Sequence, residues 1–364
     1  MNQLLKSFGL KTGLTLFLVL IGWAATLPLA GAQAASSSGF AAAISPLPIL
    51  LDVKPGSSVS TDLRVNNPST HAEKLKVVIK SFSQDGPTGN VILRDTNSAD
   101  DFVKWISFSR SQFDAPPGLW QTVKMTIDVP KTAAFGYYFA VEFTSAEAPA
   151  KTQSGASVQG AVASFVLLNA QAPGEKRQMS VTAFRADHRF YEFLPASFTI
   201  RLHNSGNIYA GASGNIFIMR GSKQVAALNV NENHGLVLPN SNRQFTVSWS
   251  DGFPVYKPAL DNNGQSIKNE DGQPKQKLSW NFSQVSHLRF GHYTAKLALV
   301  YNDGTRDVPI SGTLSFWVIP WRLIAIVMFI LMLIAGLITY VIILRRRLKR
   351  LKPAKAISGA RHDK

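Results

Sequence analysis

Apolar and polar residues alternate with a period of two along most of the chain between positions 44 and 318. The alternation is strict in 122–129, and it recurs in 58–65 and in 137–143. This spacing puts every second side chain on one face of an extended strand, so one face can be buried while the other meets water. Turn-forming pairs such as Pro55-Gly56 separate the segments. The pattern predicts short antiparallel strands packed as a β-sandwich.

The alternation stops at 169–178, a polar segment containing Pro and Gly that has the composition of a linker. It divides the extended region into 44–168 and 179–318, and each part is large enough to bury its own core. We therefore predict an all-β fold of two tandem immunoglobulin-like antiparallel β-sandwiches. The second sandwich is expected to carry a loop insertion near 253–277, which is polar and rich in Gly, Asn and Pro.

Short segments of the two halves match each other in character. Residues 62–67 and 199–204 are both alternating strands that run into an Asn-led turn, and 136–138 and 291–293 both open an aromatic strand with Gly. Either the halves arose by internal duplication, or they share only what any two sandwiches share.

An uncharged apolar run from 323 to 344 follows the second sandwich. Its 22 residues would span roughly 33 Å as a helix, which matches the hydrocarbon thickness of a bilayer. We predict a transmembrane helix at 320–344 and a basic cytoplasmic tail at 345–364, with the sandwiches outside the cytoplasm. The residues expected to set the membrane interface and the topology are Trp321, Arg322, Tyr340, Arg345, Arg346 and Arg347.

A second apolar stretch, 14–29, lies near the N-terminus after two lysines and before a run of small residues. This is the order of a secretory signal peptide. We predict a signal peptide at 1–34 that is cleaved between Ala34 and Ala35, followed by a flexible segment at 35–43. The alternative is an uncleaved first membrane helix. With cleavage, the chain is a single-pass protein of the bacterial plasma membrane.

The formal net charge of +16 is concentrated at the C-terminal end. Nine Lys or Arg residues and one Asp lie from Arg345 onward, so +8 of the total belongs to the tail. Charge beside a membrane span is explained by topology, and we predict no nucleic-acid partner. The tail is expected to lie near anionic lipid headgroups or to act only as a topological signal. The absence of Cys excludes disulfides, thiolate metal ligands and a Cys nucleophile.

Residues that could support catalysis or bind a metal are few. The histidines lack the i,i+4 spacing of a zincin, and 211–214 lacks the spacing of a nucleophile elbow. The segment 261–272 has a calcium-like composition, but Ser266 and Gly272 stand where an EF-hand loop needs Gly and Glu. We predict no enzymatic activity, no cofactor and no metal site, and whether this loop binds calcium stays open.

The aromatic residues supply the only candidate ligand-binding side chains. Trp105, Trp249 and Trp280 fall within apolar alternations and are expected to fill the cores. Trp120 and Tyr191 are harder to place. Exposed, they could stack on sugars or anchor a protein partner. Buried, they would pack the joint between the two domains.

Several local motifs carry a resemblance to a known family. The extended Ser45-Pro46 segment, the Pro55-Gly56 turn and the strand exit at 65–69 occur together with 127–130 before a Gly-containing aromatic strand. With the signal peptide, sandwiches, membrane helix and basic tail, they resemble the WxL-interacting proteins, surface proteins of Gram-positive and related bacteria. The resemblance implies a peptidoglycan-binding first domain and a host-binding second domain.

Together these features predict a membrane-anchored bacterial surface protein that attaches to other molecules and has no catalytic function. Its two sandwiches would contact cell-envelope proteins or peptidoglycan. The alternative is a surface carbohydrate-binding module. A membrane-tethered hydrolase is a much weaker hypothesis, because the sequence offers no set of nucleophile, base and orienting group.

Overall fold

The computed structural model describes residues 42–86, 88–147 and 160–350. The predicted signal peptide with its cleavage site at Ala34 and Ala35, and the tail after position 350, lie outside the described residues. Within them the chain forms two β-sandwiches followed by one long helix, which confirms the predicted fold class.

The first sandwich is built from ten strands. One sheet has the order β1-β3-β8-β6, and the other has the order β2-β10-β9-β4-β5, with β7 also paired to β4. Alternating apolar side chains of both sheets meet between them, as the period of two predicts. The strands are β1 Ala43–Ser45, β2 Ile49–Val53, β3 Ser58–Asn66, β4 Glu73–Asp85, β5 Asn90–Asp95, β6 Ile106–Phe108, β7 Gln112–Ala115, β8 Trp120–Asp128, β9 Phe135–Ser145 and β10 Ala161–Ala170.

The second sandwich begins at β11, so the segment between the domains is 171–178, slightly shorter than the predicted linker. Its sheets have the orders β11-β13-β16 and β12-β20-β19-β14-β15. The strands are β11 Met179–Ala186, β12 Phe190–Tyr191, β13 Ala196–Asn204, β14 Ala212–Arg220, β15 Lys223–Val230, β16 Asn242–Trp249, β17 Val255–Pro258, β18 Gln276–Ser279, β19 Gly291–Asn302 and β20 Asp307–Val318.

One sheet has the same strand order in both sandwiches. The order β2-β10-β9-β4-β5 corresponds strand for strand to β12-β20-β19-β14-β15, and in both the first pair is parallel. β5 and β15 are therefore equivalent edge strands. The polar insertion in the second domain forms a separate hairpin of β17 and β18.

A buried asparagine occupies the same place in each sandwich. Asn67 donates its side-chain amide to the carbonyls of His71 and Ala115, both at 2.8 Å. Asn204 donates in the same way to the carbonyls of Ile208 and Val237, at 2.8 and 2.9 Å. In each case the side-chain oxygen accepts a backbone N–H two residues later. The Asn-led turns noted in the sequence are thus one repeated structural device.

A tyrosine at the start of the penultimate strand also recurs. The hydroxyl of Tyr137 accepts the backbone N–H of Ala134, and that of Tyr293 accepts the N–H of Phe290, both at 3.2 Å. This backward bond resembles the tyrosine corner of immunoglobulin-like domains. Tyr293 therefore corresponds to Tyr137, which shifts the sequence comparison of 136–138 with 291–293 by one residue.

The final helix, α1, runs from Trp321 to Arg350. Its most apolar window of 18 residues has a mean hydropathy of 2.9, and no described part of the protein covers that window. It is long and apolar enough to cross a membrane. The helix continues past the predicted end at 344, because Arg, Lys and Leu favour helix and nothing in 345–350 interrupts it.

The loop after β5 is fixed by an ion pair. Arg94 donates to both carboxylate oxygens of Asp100, at 2.8 and 2.9 Å, and the backbone N–H of Asn97 donates to the same carboxylate at 2.8 Å. These hydrogen bonds, the bond from Arg94 first, lower the pKa of Asp100 from its ordinary value to about 2. The bidentate pair therefore supports the C-terminal end of β5.

Because the folded-state pKa lies below the unfolded one, the contribution of Asp100 to stability is present above about pH 4 and is lost as the pH falls toward 2. We expect Asp100→Asn to lower the free energy of unfolding by about 1 kcal/mol near neutral pH. Urea unfolding across this pH range should show the deficit vanish in acid. Asp101→Asn, which removes an exposed pair with Lys104, is the control and should change little. A deficit of the same size at every pH would contradict this origin.

Candidate functional site

Strand β10 is apolar on both faces. Val166 and Leu168 point into the first core, whereas Phe165 and Leu167 lie on the opposite face of the sheet. A strand covered on both sides has a continuous apolar sequence, and 165–168 is such a run. The outer face of this sheet is turned toward the second sandwich.

Two polar side chains of the first sandwich, Gln84 and Tyr138, form hydrogen bonds that fix the second sandwich against this face. The side chain of Gln84 accepts the backbone N–H of Leu238 and the hydroxyl of Ser241, both at 2.9 Å. The hydroxyl of Tyr138 accepts the N–H of Tyr209 at 3.0 Å. Burial raises the pKa of Tyr138, so its hydroxyl stays neutral. A small apolar cluster also lies between the two sandwiches. Its buried members are Phe82, Ala140, Leu167, Tyr209 and Leu238.

The facing loop of the second sandwich, 231–241, is held by buried amides. Asn231 donates to the carbonyls of Ala212 and Gly235, at 2.8 and 2.9 Å, and its side-chain oxygen accepts the N–H of Gly235. Asn204 ties the loop through the carbonyl of Val237. The loop is therefore presented in one conformation.

Between the outer face of β10 and this loop lies a cleft of about 440 Å³, which we call the inter-domain cleft. Phe82 and Phe165 form part of its floor, with ring centroids 5.1 Å apart in an edge-to-face arrangement. Such a concave and mostly apolar surface with a few polar groups is typical of binding sites. Its walls are Leu47, Pro48, Leu50, Phe82, Gln84, Val91, Phe165 and Leu167 from the first sandwich, and 233–236, Leu238 and Arg243 from the second.

Among the described residues that line the cleft, Arg243 is the only Lys, Arg, Asp or Glu. Its guanidinium donates to the carbonyl of Leu236 at 2.8 Å and lies 5.5 Å from the centroid of the Phe245 ring. Burial lowers the pKa of Arg243 from its ordinary value, but a guanidinium stays charged at any physiological pH. Among the described residues no carboxylate pairs with it. The cleft thus combines apolar walls with a half-buried cation.

Strand β5 borders the cleft and forms an open edge. Val91 lies in the cleft wall, and Val91, Ile92 and Leu93 are between 41% and 47% exposed. Within the described part of the chain, β5 pairs with β4 alone. The turn before it is close to the second sandwich, because a Cβ on Gly89 would stand 2.8 Å from the carbonyl oxygen of Asn242. An apolar edge of this kind usually has a partner or a cover.

The two aromatic residues predicted to bind a ligand, Tyr191 and Trp120, differ in their exposure to solvent. Tyr191 is only 6% exposed, packs edge-to-face on Phe316, and bonds through its hydroxyl to Asp187. Its face cannot stack on a sugar, so that hypothesis is wrong for Tyr191. Trp120 is 52% exposed at the start of β8 and remains available. Neither residue packs the inter-domain joint.

Of the three tryptophans expected in the cores, Trp249 is fully buried and Trp105 packs at the edge of the first core. Trp280 is 45% exposed, so the prediction was wrong there. It follows the inserted hairpin, in which Val255 joins the core of the second sandwich but the later residues do not. The alternating pattern around it belongs to a two-stranded arm that has no second sheet to cover it.

The predicted topology residues all lie on α1 or at its start. Trp321 is exposed, and the guanidinium of Arg322 lies over its ring and pairs with Glu192 at 3.5 Å. Tyr340 is exposed near the other end of the apolar stretch. Arg345, Arg346 and Arg347 continue the helix. This arrangement is compatible with a single membrane span.

The described residues contain no group of three or more His, Asp or Glu side chains placed to hold a metal ion. In the calcium-like loop, the carboxylate of Asp261 accepts the backbone N–H groups of Asn263 and Gln265, as in a turn. His287 pairs with Asp251, which also accepts from Arg289 at 2.6 Å.

No protein-family model and no curated protein matches the chain. Among solved structures, it is similar to the class 5 fimbriae chaperone CfaA, with 17% identity, 66% of this chain and 100% of that chain covered, and a TM-score of 0.30. It is also similar to the CsuC-CsuE chaperone-tip adhesion subunit complex of Acinetobacter baumannii, with 12% identity, coverage of 74% and 97%, and a TM-score of 0.34.

A third neighbour is the CupB2 chaperone of Pseudomonas aeruginosa, with 9% identity, 76% of this chain and 100% of that chain covered, and a TM-score of 0.32. TM-scores between 0.30 and 0.34 are too low to carry an inference about this chain. We therefore infer the function from the geometry of the chain itself.

Proposed function

We propose that this chain is a membrane-anchored, non-catalytic surface protein that binds an extended segment of a cell-envelope protein in the inter-domain cleft and along β5. The proposal rests on one observation, which is that three features suited to binding a peptide lie next to one another. An open edge strand, an apolar cleft and the half-buried cation of Arg243 adjoin one another.

The edge strand supplies the affinity. An extended peptide that pairs with β5 would satisfy the backbone N–H and C=O groups along its outer side, which is the mode of strand addition. Val91, Ile92 and Leu93 offer apolar contacts to alternate side chains of the added strand. The equivalent strand of the second sandwich, β15, has Ala227 as its only exposed apolar residue.

The cleft supplies the specificity. Its floor of Phe82, Phe165 and Leu167 suits one or two large apolar side chains, and Arg243 suits a carboxylate beside them. The partner segment is therefore extended, apolar and acidic at one point. Charge-assisted hydrogen bonds of this kind contribute about 1.5–3 kcal/mol when water is excluded.

The membrane anchor would hold both sandwiches at the outer surface of the plasma membrane. α1 would cross the plasma membrane once, with the basic residues from Arg345 in the cytoplasm and the sandwiches outside. The basic tail would lie near anionic lipid headgroups. This agrees with the resemblance to WxL-interacting proteins, in which the first domain would attach to peptidoglycan.

A carbohydrate-binding role is the second candidate, and the exposure of Trp120 favours it. An exposed indole next to the exposed Leu119 is a possible stacking surface for a sugar ring. It lies at the start of β8, on the sheet of the first sandwich that does not include β5. The two candidate sites can therefore be separated by mutation.

Site-specific photocrosslinking in intact cells tests the proposal. A benzoylphenylalanine at position 92 on β5 should crosslink to one envelope protein, whereas the same group at position 227 on β15 should not. Arg243→Gln is expected to weaken capture about tenfold, since one charge-assisted bond is lost. Arg220→Gln, at an exposed turn, is the matched control.

Equal crosslinking at the two edges, or capture that is unaffected by Arg243→Gln, would refute the cleft as the site. Recovery of peptidoglycan fragments that depends on Trp120 and not on position 92 would favour the carbohydrate-binding role instead.

A further inference from the structure

The end of the second sandwich from which α1 leaves carries a group of exposed apolar side chains. We call it the α1-proximal patch, and its members are between 45% and 71% exposed. Most of them lie on the short segment 280–290, which includes a 3₁₀ helix at Phe282–His287. The patch comprises Phe190, Trp280, Phe282, Val285, Leu288 and Phe290.

The strand pairing places this patch at the level where α1 begins. Gly291, which directly follows the segment, pairs with Val318, and Phe190 pairs with Trp317. The N–H of Ile319 donates to the carbonyl of Tyr191 at 2.7 Å. α1 starts at Trp321, roughly 10 Å of chain after Val318.

The segment is held rigidly with its apolar side chains outward. Arg289 donates to the backbone carbonyl and the carboxylate of Asp251, at 2.8 and 2.6 Å. His287 pairs with the same carboxylate, and its carbonyl accepts the N–H of Phe253 at 3.0 Å. The rings of Trp280 and Phe282 stack with centroids 6.3 Å apart. Fixed exposure of this kind indicates an apolar surrounding that the described residues do not provide.

The charges around the patch suit a lipid interface. Residues 280–290 contain Arg289 and no Asp or Glu. Three carboxylates lie near the patch. Asp251 pairs with Arg289 and Glu192 pairs with Arg322. Asp187 accepts hydrogen bonds from the hydroxyl of Tyr191 and from the backbone N–H groups of His188 and Ser197. Aromatic residues and arginines are the side chains that settle at a membrane interface.

We propose that the α1-proximal patch inserts into the interfacial layer of the bilayer that α1 crosses. The inference rests on the proposed membrane anchoring and goes beyond it. With α1 alone, the second sandwich is joined to the membrane span only through the short segment at Ile319 and Pro320 and the ion pair of Arg322 with Glu192. With the patch inserted as a second contact, the second sandwich is fixed against the membrane, and the inter-domain cleft is held at a set height above it.

Because the chain has no Cys, single cysteines report local environment without background. Full-length Val285→Cys is labelled with an environment-sensitive nitrobenzoxadiazole dye and reconstituted in vesicles of phosphatidylethanolamine and phosphatidylglycerol. Iodide is present on both sides. We expect its iodide quenching constant to be about tenfold lower than that of the control Ser311→Cys, since burial of one apolar side chain shifts an equilibrium by at least that factor. Lipids brominated on the acyl chains should quench the Val285 label and not the Ser311 label.

The control Ser311 is exposed on β20, seven residues before Val318 and so roughly 23 Å along the strand from the α1 end. A third label at Ile334→Cys, in the middle of α1, separates the two proposals. Bromolipid quenching at Ile334 but iodide accessibility at Val285 equal to that at Ser311 would overturn the patch while leaving the anchor intact. Free iodide access at both Ile334 and Val285 would refute the anchor and the patch together.

Discussion

Replacing Trp249 by alanine is expected to destabilise the second sandwich by about 3–5 kcal/mol. The indole is fully buried and packs edge-to-face against Tyr293 and Phe316, with centroids 5.2 and 6.1 Å away. Its loss leaves a cavity in the centre of the core, and a loss of this size is a large part of the stability of a typical domain. Pulse proteolysis in urea, with the full chain in detergent, measures the change.

Two further variants make this test specific. Trp280→Ala removes the same side chain where it is 45% exposed, and we expect a cost below about 1 kcal/mol. Trp249→Phe should cost much less than Trp249→Ala, because the indole N–H has no hydrogen-bond partner among the described residues. Equal losses for Trp249→Ala and Trp280→Ala would show that the burial of Trp249 is not what stabilises the domain.

The second large effect is expected at Asn204. Asn204→Ala removes two donated hydrogen bonds and one accepted bond. It leaves the carbonyl of Ile208 and the N–H of Gly206 without their partner, whereas the carbonyl of Val237 keeps its bond from the N–H of Ala210. An unsatisfied buried polar group costs about 1–3 kcal/mol, so we expect a total loss of about 3 kcal/mol. The loop 231–241 should lose much of its hydrogen-exchange protection, and partner capture at the cleft should fall with it.

Asn302→Ala is the matched control for Asn204. Asn302 accepts the N–H of Gly304 and donates to Asp307 in a similar local turn, but it is exposed, so water can replace both bonds. Its substitution should cost no more than about 0.5 kcal/mol. Asn67→Ala should repeat the Asn204 result in the first sandwich, because the same three bonds occur there. If Asn302→Ala and Asn204→Ala cost the same, burial of the amide is not the cause.

Much of the fold was predictable from local pattern. Alternation in 58–65 and 122–129 corresponds to β3 and β8, and the polar break near 169–178 falls between β10 and β11. These features are short in range, because a strand needs only its own period and the turns at its ends.

The candidate site was not found in this way. The continuous apolar run in β10 is a signal for a strand covered on both faces, but it does not say what covers it. Arg243 and Gln84 lie far apart in the chain and carry no motif. Their meeting depends on the angle at which the two sandwiches dock.

The sequence by itself determined which segments extend, where the chain divides and which stretch could enter a membrane, because period and composition act on neighbouring residues. Only the tertiary structure decided that Trp249 is buried while Trp280 is exposed, that Tyr191 is covered, and that β5 remains an open edge beside a cleft. The physical reason is that periodicity assigns a side chain to one face of a strand. Whether that face is dry depends on elements that are distant in the chain and come to lie against it only on folding.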